Sequence, residues 1–154
     1  MTDKSDQGLL RSVPPDERVK QLQAFIDRLP HSRALGMRVR HIGAGEVVMD
    51  MPYDSRLIGD PQTRVIFGGA LSAVMDTCCG AATMSHPSNP KSMATLCLRI
   101  DYMRTARPDQ SIRTWAKCYH ATRSVAFVRG AALDDEDDTN PVAMAAGTFV
   151  VAYA

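Results

Sequence analysis

Residues Val65–Ser85, VIFGGALSAVMDTCCGAATMS, make a run of 21 residues with one charged side chain, Asp76. The run has about the length of a membrane span. Its Gly, Ser and Thr, its few Leu and Ile, and the carboxylate point instead to a helix inside a folded domain. Such a helix is apolar nearly all round and has to be wrapped by other structure. A carboxylate is costly to bury unless it is paired, so Asp76 has either a structural partner or a chemical task, and the residues alone leave both open. Gly68 and Gly69 stand where the helix begins. Glycine there lets a ligand or another backbone come close. The unpaired N–H groups at the positive helix end suit a developing oxyanion, although packing or turn roles are the commoner fate of a Gly-Gly pair.

The rest of the chain supplies the wrapping. PPDERVKQLQAFIDRLP carries a helix start at Pro-Pro-Asp and a stop at Pro30, with Val19, Leu22, Phe25, Ile26 and Leu29 at helical spacing. ALGMRVRHIGAGEVVMDMPYD predicts two strands joined by a Gly-containing turn, and DSRLIGDPQTR a loop. In MATLCLRIDYM, strict alternation puts Ala94, Leu96, Leu98, Ile100 and Tyr102 on one buried face and Thr95, Cys97, Arg99 and Asp101 on the other. SIRTWAKCYHA, SVAFVRGAAL and VAMAAGTFVVAY continue the strands. Asp134–Asp138, DDEDD, is expected to be a solvated hairpin loop, and residues 1–15 a flexible N-terminus. The order is helix, two strands, long helix, then about four strands, with no internal repeat. It predicts an α+β fold: one curled antiparallel sheet wrapped around a long central helix, with an extra N-terminal helix.

A chain of 154 residues has the size of one domain. A net charge of +1 without a dense Lys/Arg stripe excludes a polyanion reader, so no nucleic-acid partner is expected. Cys78, Cys79, Cys97 and Cys118 fit no metal-ligand spacing. They read as reduced, mostly buried thiols of a cytoplasmic protein. His31, His41, His86 and His120 are scattered, which favours surface or structural roles. No metal and no redox cofactor are expected. Trp115 alternates with Arg113, Lys117 and Tyr119 on what reads as an outer or contact face.

IFGGALSAVMDT, followed by TLCLRIDYMRTARP and HATRSVAF, resembles the hot-dog acyl-CoA thioesterases, and most of all the phenylacetate-degradation type. Those proteins carry His-Gly-Gly, six residues, then Asp on the central helix. The likeness covers residues 34–153 and implies a single hot-dog domain over residues 16–154. Carried over, it makes Asp76 the general base or nucleophile. The Gly68 N–H becomes the donor to the thioester carbonyl, and Thr95 the holder of the water. Arg123, Ser124 and, with less weight, Arg107 fall at positions near the CoA moiety. Two residues depart from the pattern: Phe67 replaces the histidine before Gly-Gly, and the upstream Asn falls near Pro61, with Gln62 beside it. Phe67 and Gly69 are then expected beside the acyl group, with an aromatic or medium-chain acyl group favoured. The resemblance implies an acyl-CoA substrate, no cofactor beyond the CoA of that substrate, and no membrane. It also implies a homodimer with sheets paired edge to edge and the active site shared between chains, with a dimer of dimers as the next assembly. The competing reading is a non-catalytic acyl-CoA-binding or sensing domain, since Phe67 removes one polar group. A hydratase on the same fold is the weakest, because no histidine lies on the helix before His86.

Overall fold

The computed structural model describes residues 15–134 and 139–153. The flexible terminus expected at the start of the chain, and Glu136 with its neighbours at 135–138, lie outside those residues. Helix α1, Pro15–Asp27, presents Val19, Leu22 and Ile26 to the core, while Phe25 and Leu29 remain exposed on its flank. Pro30 does more than stop it. It begins a second short helix, α2, Pro30–Ala34, where a missing N–H costs nothing. Strands β1, Arg38–Ile42, and β2, Glu46–Met51, follow as a hairpin. The expected loop after them carries a 3₁₀ turn, Ser55–Leu57, and a two-stranded ribbon of β3, Ile58–Asp60, and β4, Val65–Ile66. The long helix α3 starts at Gly68, at the glycine pair, and runs to Met84.

Strands β5, Ser92–Tyr102, β6, Ile112–Ala121, β7, Val125–Leu133, and β8, Ala143–Ala152, complete a six-stranded antiparallel sheet of order β1-β2-β6-β7-β8-β5. Its concave side holds α3. Leu71, Val74, Met75, Cys78, Cys79 and Ala82 of that helix are buried against Val47, Met49, Ala116, Val128 and Phe149 of the sheet layer. The wrapping is incomplete, however. Gly69 is exposed, and Ser72, Ala73, Asp76 and Thr77 are only half-buried. These positions recur at helical spacing, so they form one open stripe along α3. The lone charge of the apolar run sits on that stripe, which is why it needs no buried counter-ion.

The two sheet edges differ. On β1 the Gln23 amide of α1 donates to the Met37 carbonyl at 3.2 Å and accepts from the Val39 N–H at 2.7 Å, so a side chain takes the place of a neighbouring strand. On the other side β5, among the described residues, pairs with β8 alone, through ten residue pairs, and leaves its outer edge open. Contrary to the alternation, β5 has no continuous buried face. Pairing runs Thr95 to Phe149, then Cys97 to Thr148, so Leu96 is the extra residue of a β-bulge. The bulge reverses parity. Thr95 turns toward α3 on the same side as Leu98, Ile100 and Tyr102, while Leu96 is exposed.

Gly147 on β8 is the counterpart of this bulge: a Cβ there would lie 2.8 Å from the Cys97 carbonyl oxygen. Backbone cannot yield as a side-chain tip can. Gly147→Ala is expected to cost about 1–3 kcal/mol, the usual range for overpacking, read as a lower urea midpoint at unchanged slope. An unshifted midpoint would show that the bulge has room to spare.

Candidate active site

Two groups of polar atoms stand on the open stripe. At its middle, Thr95 Oγ1 donates to Asp76 Oδ1 at 2.9 Å. This hydrogen bond, made possible by the bulge, fixes the rotamer of a half-buried carboxylate and leaves its second oxygen open. Beside it lies a cavity of about 550 Å³, lined by Asp76, Thr77, Ala81 and Met84 of α3, by Leu22 and Phe25 of α1, and by Met93 of β5.

At the helix start, the N–H groups of Gly68 and Gly69 precede the first intrahelical acceptor bond, Ala70 N–H to Phe67 O at 3.0 Å. The hydroxyls of Tyr102 and Ser72 converge on the Gly68 carbonyl at 2.8 and 3.1 Å and lie 2.6 Å from each other. That carbonyl belongs to the peptide whose N–H is Gly69's, so the two bonds polarise that donor. Neither Tyr102 nor Ser72 carries a local sequence signal for this role. The tyrosine is part of the LRIDYM strand end, where alternation makes it one more core position.

Phe67 lies at the helix start and is exposed. Its ring covers Gly69, where any Cβ would run into it, and lines a separate hollow with His31 and Arg56. Within one chain it is remote from the Asp76 cavity, nine residues up the sequence at the opposite end of the stripe. Gln62 sits in the turn between β3 and β4, its N–H bonded to Asp60 Oδ1 at 2.9 Å and its residue exposed. Arg123 and Ser124 form the exposed turn between β6 and β7. There the Val151 N–H donates to Ser124 O, beside the start of β5 and away from Gly68. Arg107 is exposed, its N–H donating to Asp134.

Asp134 overturns another expectation. It does not belong to a solvated loop: its side chain is fully buried, and Arg104 grips both of its oxygens at 2.8 and 2.6 Å. The Arg104 hydrogen bond holds the carboxyl below the usual range, with the Arg107 N–H helping and burial opposing. Cys78 and Cys79 are buried, and loss of solvent pushes the Cys78 thiol up to about 12. They are protonated, inert core residues. Cys97 alone of the four is exposed, on the open edge strand. Among the described residues no three His, Cys, Asp or Glu side chains gather as a metal site requires. Among those residues no helix is long and apolar enough to cross a membrane.

Comparison with known proteins bears on this arrangement. The thioesterase superfamily matches residues 64–140, which include α3 with both its glycines and Asp76, and strands β5 to β7. A solved Pseudomonas aeruginosa protein is 34% identical, with a TM-score of 0.76 over 86% of this chain and 97% of its own. A Halobacterium salinarum protein named as a candidate esterase is 27% identical over 135 residues, 86% of this chain and 89% of its own. The Escherichia coli PaaI protein of the phenylacetic acid degradation operon, 16% identical, shares the fold with a TM-score of 0.75 over 88% of this chain and 93% of its own. With its central helix held in a six-stranded antiparallel sheet and its sequence matched across the site-bearing half, the chain belongs to the thioesterase superfamily and has the hot-dog fold.

Proposed function

We propose that the protein hydrolyses acyl-CoA thioesters to a carboxylic acid and CoA, with Asp76 as the base or nucleophile. The observation that carries this reading is the Thr95-oriented carboxylate at the rim of an apolar cavity. In the general-base form, Asp76 takes a proton from a water held with the help of Thr95. The water oxygen attacks the thioester carbonyl carbon, and a helix-start N–H, Gly68 with Gly69 beside it, stabilises the oxyanion. Collapse breaks the C–S bond, and the proton held by Asp76 neutralises the departing CoA thiolate. Arg123, Ser124 and Arg107 are proposed to meet the CoA moiety, and Gln62 to take the place of the family's Asn amide. Four free thiols fit a reducing cytoplasm.

One constraint makes the site a two-chain affair. Asp76 follows Gly68 by eight residues on one helix, a separation of about 12 Å. A carbonyl cannot touch both when base and oxyanion donor each need contact at about 3 Å. A second copy paired along the open edge of β5 would bring the partner's helix start to Asp76, and it would cover the exposed Met93, Leu96, Tyr102 and Met103.

Complementation tests this. Gly68→Pro removes one N–H at a position where proline is tolerated. Phe67 before it already has the extended ψ of 133° that proline demands, and a Cβ would meet Tyr102 at an ordinary 3.4 Å. Mixed with Asp76→Asn subunits, this variant is expected to regain activity, because each mixed dimer holds one intact site. No recovery after verified subunit exchange would place base and donor in one chain and overturn the shared site.

A further inference from the structure

The cavity at Asp76 has an unusual wall. Its floor is α3 from Asp76 to Ser85, and its far side is the flank of α1, with Leu22, Phe25 and Leu29 turned toward Ala81, Met84 and Met93. Phe25 of α1 and Leu29, two residues past its end, are large apolar side chains that stay exposed instead of entering the core. Helix α1, which carries Phe25, is held in place by the Gln23 amide on the backbone of β1. The space between the helices begins at the reactive carboxylate and ends near Ser85 and Lys91.

We infer that this cavity is the acyl-chain site, that α1 forms its selecting wall, and that its substrates are medium-chain, aliphatic acyl groups. The inference rests on the thioesterase reading for the position of the carbonyl and deepens it by naming the acyl class. Length carries the argument. Ser85, the residue that caps α3, follows Asp76 by nine positions, about 13 Å along the helix. With C–C bonds of about 1.5 Å at a tetrahedral angle, an extended alkyl chain advances about 1.25 Å per bond, so the space takes an acyl tail on the order of eight to twelve carbons. A volume of about 550 Å³ has room for a tail of that size. The lining is aliphatic, thioether and one phenyl group, with polar atoms at its two ends, so the tail lies in apolar surroundings while the thioester remains at Asp76 and Thr95. Two of the lining residues are methionines, whose flexible side chains let neighbouring chain lengths fit.

The experiment is a kcat/KM profile over straight-chain acyl-CoAs from acetyl to myristoyl, for the wild-type chain, Met84→Trp and Phe25→Ala, with calorimetric binding of decanoate alongside. A wild-type optimum between octanoyl and dodecanoyl is expected. Met84→Trp narrows the far end, so the ratio of kcat/KM for decanoyl-CoA to that for butyryl-CoA is expected to fall at least tenfold, since single methylenes in such pockets discriminate by about 10-fold or more. Phe25→Ala opens the wall and moves the optimum to longer chains; its exposed position makes it a variant that folds. A flat profile, or ratios unchanged in both variants, overturns the inference while leaving thioester hydrolysis intact. If no acyl-CoA is hydrolysed, the catalytic reading fails, and the pocket stands or falls on decanoate binding that Met84→Trp abolishes. If Phe25→Ala dissociates the oligomer and leaves chain preference unchanged, the cavity is an interface between copies and the inference is wrong.

Discussion

Asp76→Asn is expected to lower kcat for acyl-CoA hydrolysis by about 10²–10⁴-fold, the usual worth of a positioned proton acceptor, with KM close to the wild-type value. The reasoning starts from what the substitution leaves in place. An asparagine has the same shape and still offers an oxygen to Thr95 Oγ1, so the hydrogen bond at 2.9 Å can persist. The residue is half-buried and has no buried counter-ion to orphan, so folding should change little. What is lost is the basic, nucleophilic carboxylate oxygen. An interaction needed only in the transition state appears in kcat and kcat/KM together. Free thiol followed over an acyl-CoA panel measures the effect, and an unchanged melting curve shows that the comparison is between folded proteins. Hydrolysis within tenfold of wild type would remove Asp76 from the chemistry. Saturable acyl-CoA binding by the wild-type chain with no turnover would replace the enzyme by a binding domain.

The parts of this site differ in how far the sequence discloses them, and the differences have physical causes. Helix α3 is legible because burial on most sides demands apolar side chains, and Asp76 stands out against that background. The strands are legible from alternation and from their turns. The bulge in β5 is not, because one inserted residue leaves local hydrophobicity unaltered while exchanging the faces of everything after it. Its one local trace is Gly147 in the middle of a strand, where the partner backbone approaches too closely for a side chain. Without the bulge Thr95 would face away from Asp76. Tyr102, beyond the bulge, stands on the face that alternation assigns to it, and what stays hidden in the sequence is its distant partner, the Gly68 carbonyl. Pro30 misleads for a different reason: the property that ends one helix suits the first residue of the next, and a break of two residues separates α1 from α2. Asp134 was lost in an acidic run, since one residue of a like-charged cluster carries no local mark of its distant partner.

That partner gives the largest expected effect on stability. Asp134→Ala is expected to destabilise the fold by about 3–5 kcal/mol, the cost of leaving one member of a buried ion pair unmatched. Arg104 holds Asp134 with two nitrogens, and its remaining donors reach Thr105 O and Asn140 O, while the Arg107 N–H also ends on the same carboxylate. The cluster ties the segment after β5 to the end of β7, just beyond Tyr102, so loosening it also frees the tyrosine over the helix start. Acid should reproduce part of the loss. The folded Asp134 carboxyl titrates below its unfolded value, which is near 3.9. The unfolded chain therefore binds the proton first, and the pair's contribution is whole above pH of about 4 and fades as pH falls through the folded pKa. Denaturation midpoints measured from pH 7 to pH 3 should fall for the wild type, with a shallower acid limb in Asp134→Asn, which starts lower and has no carboxyl to protonate. Parallel limbs would mean that other carboxylates dominate acid unfolding. A wild-type midpoint in Asp134→Ala would mean that the backbone acceptors alone keep Arg104, and with it Tyr102, in position.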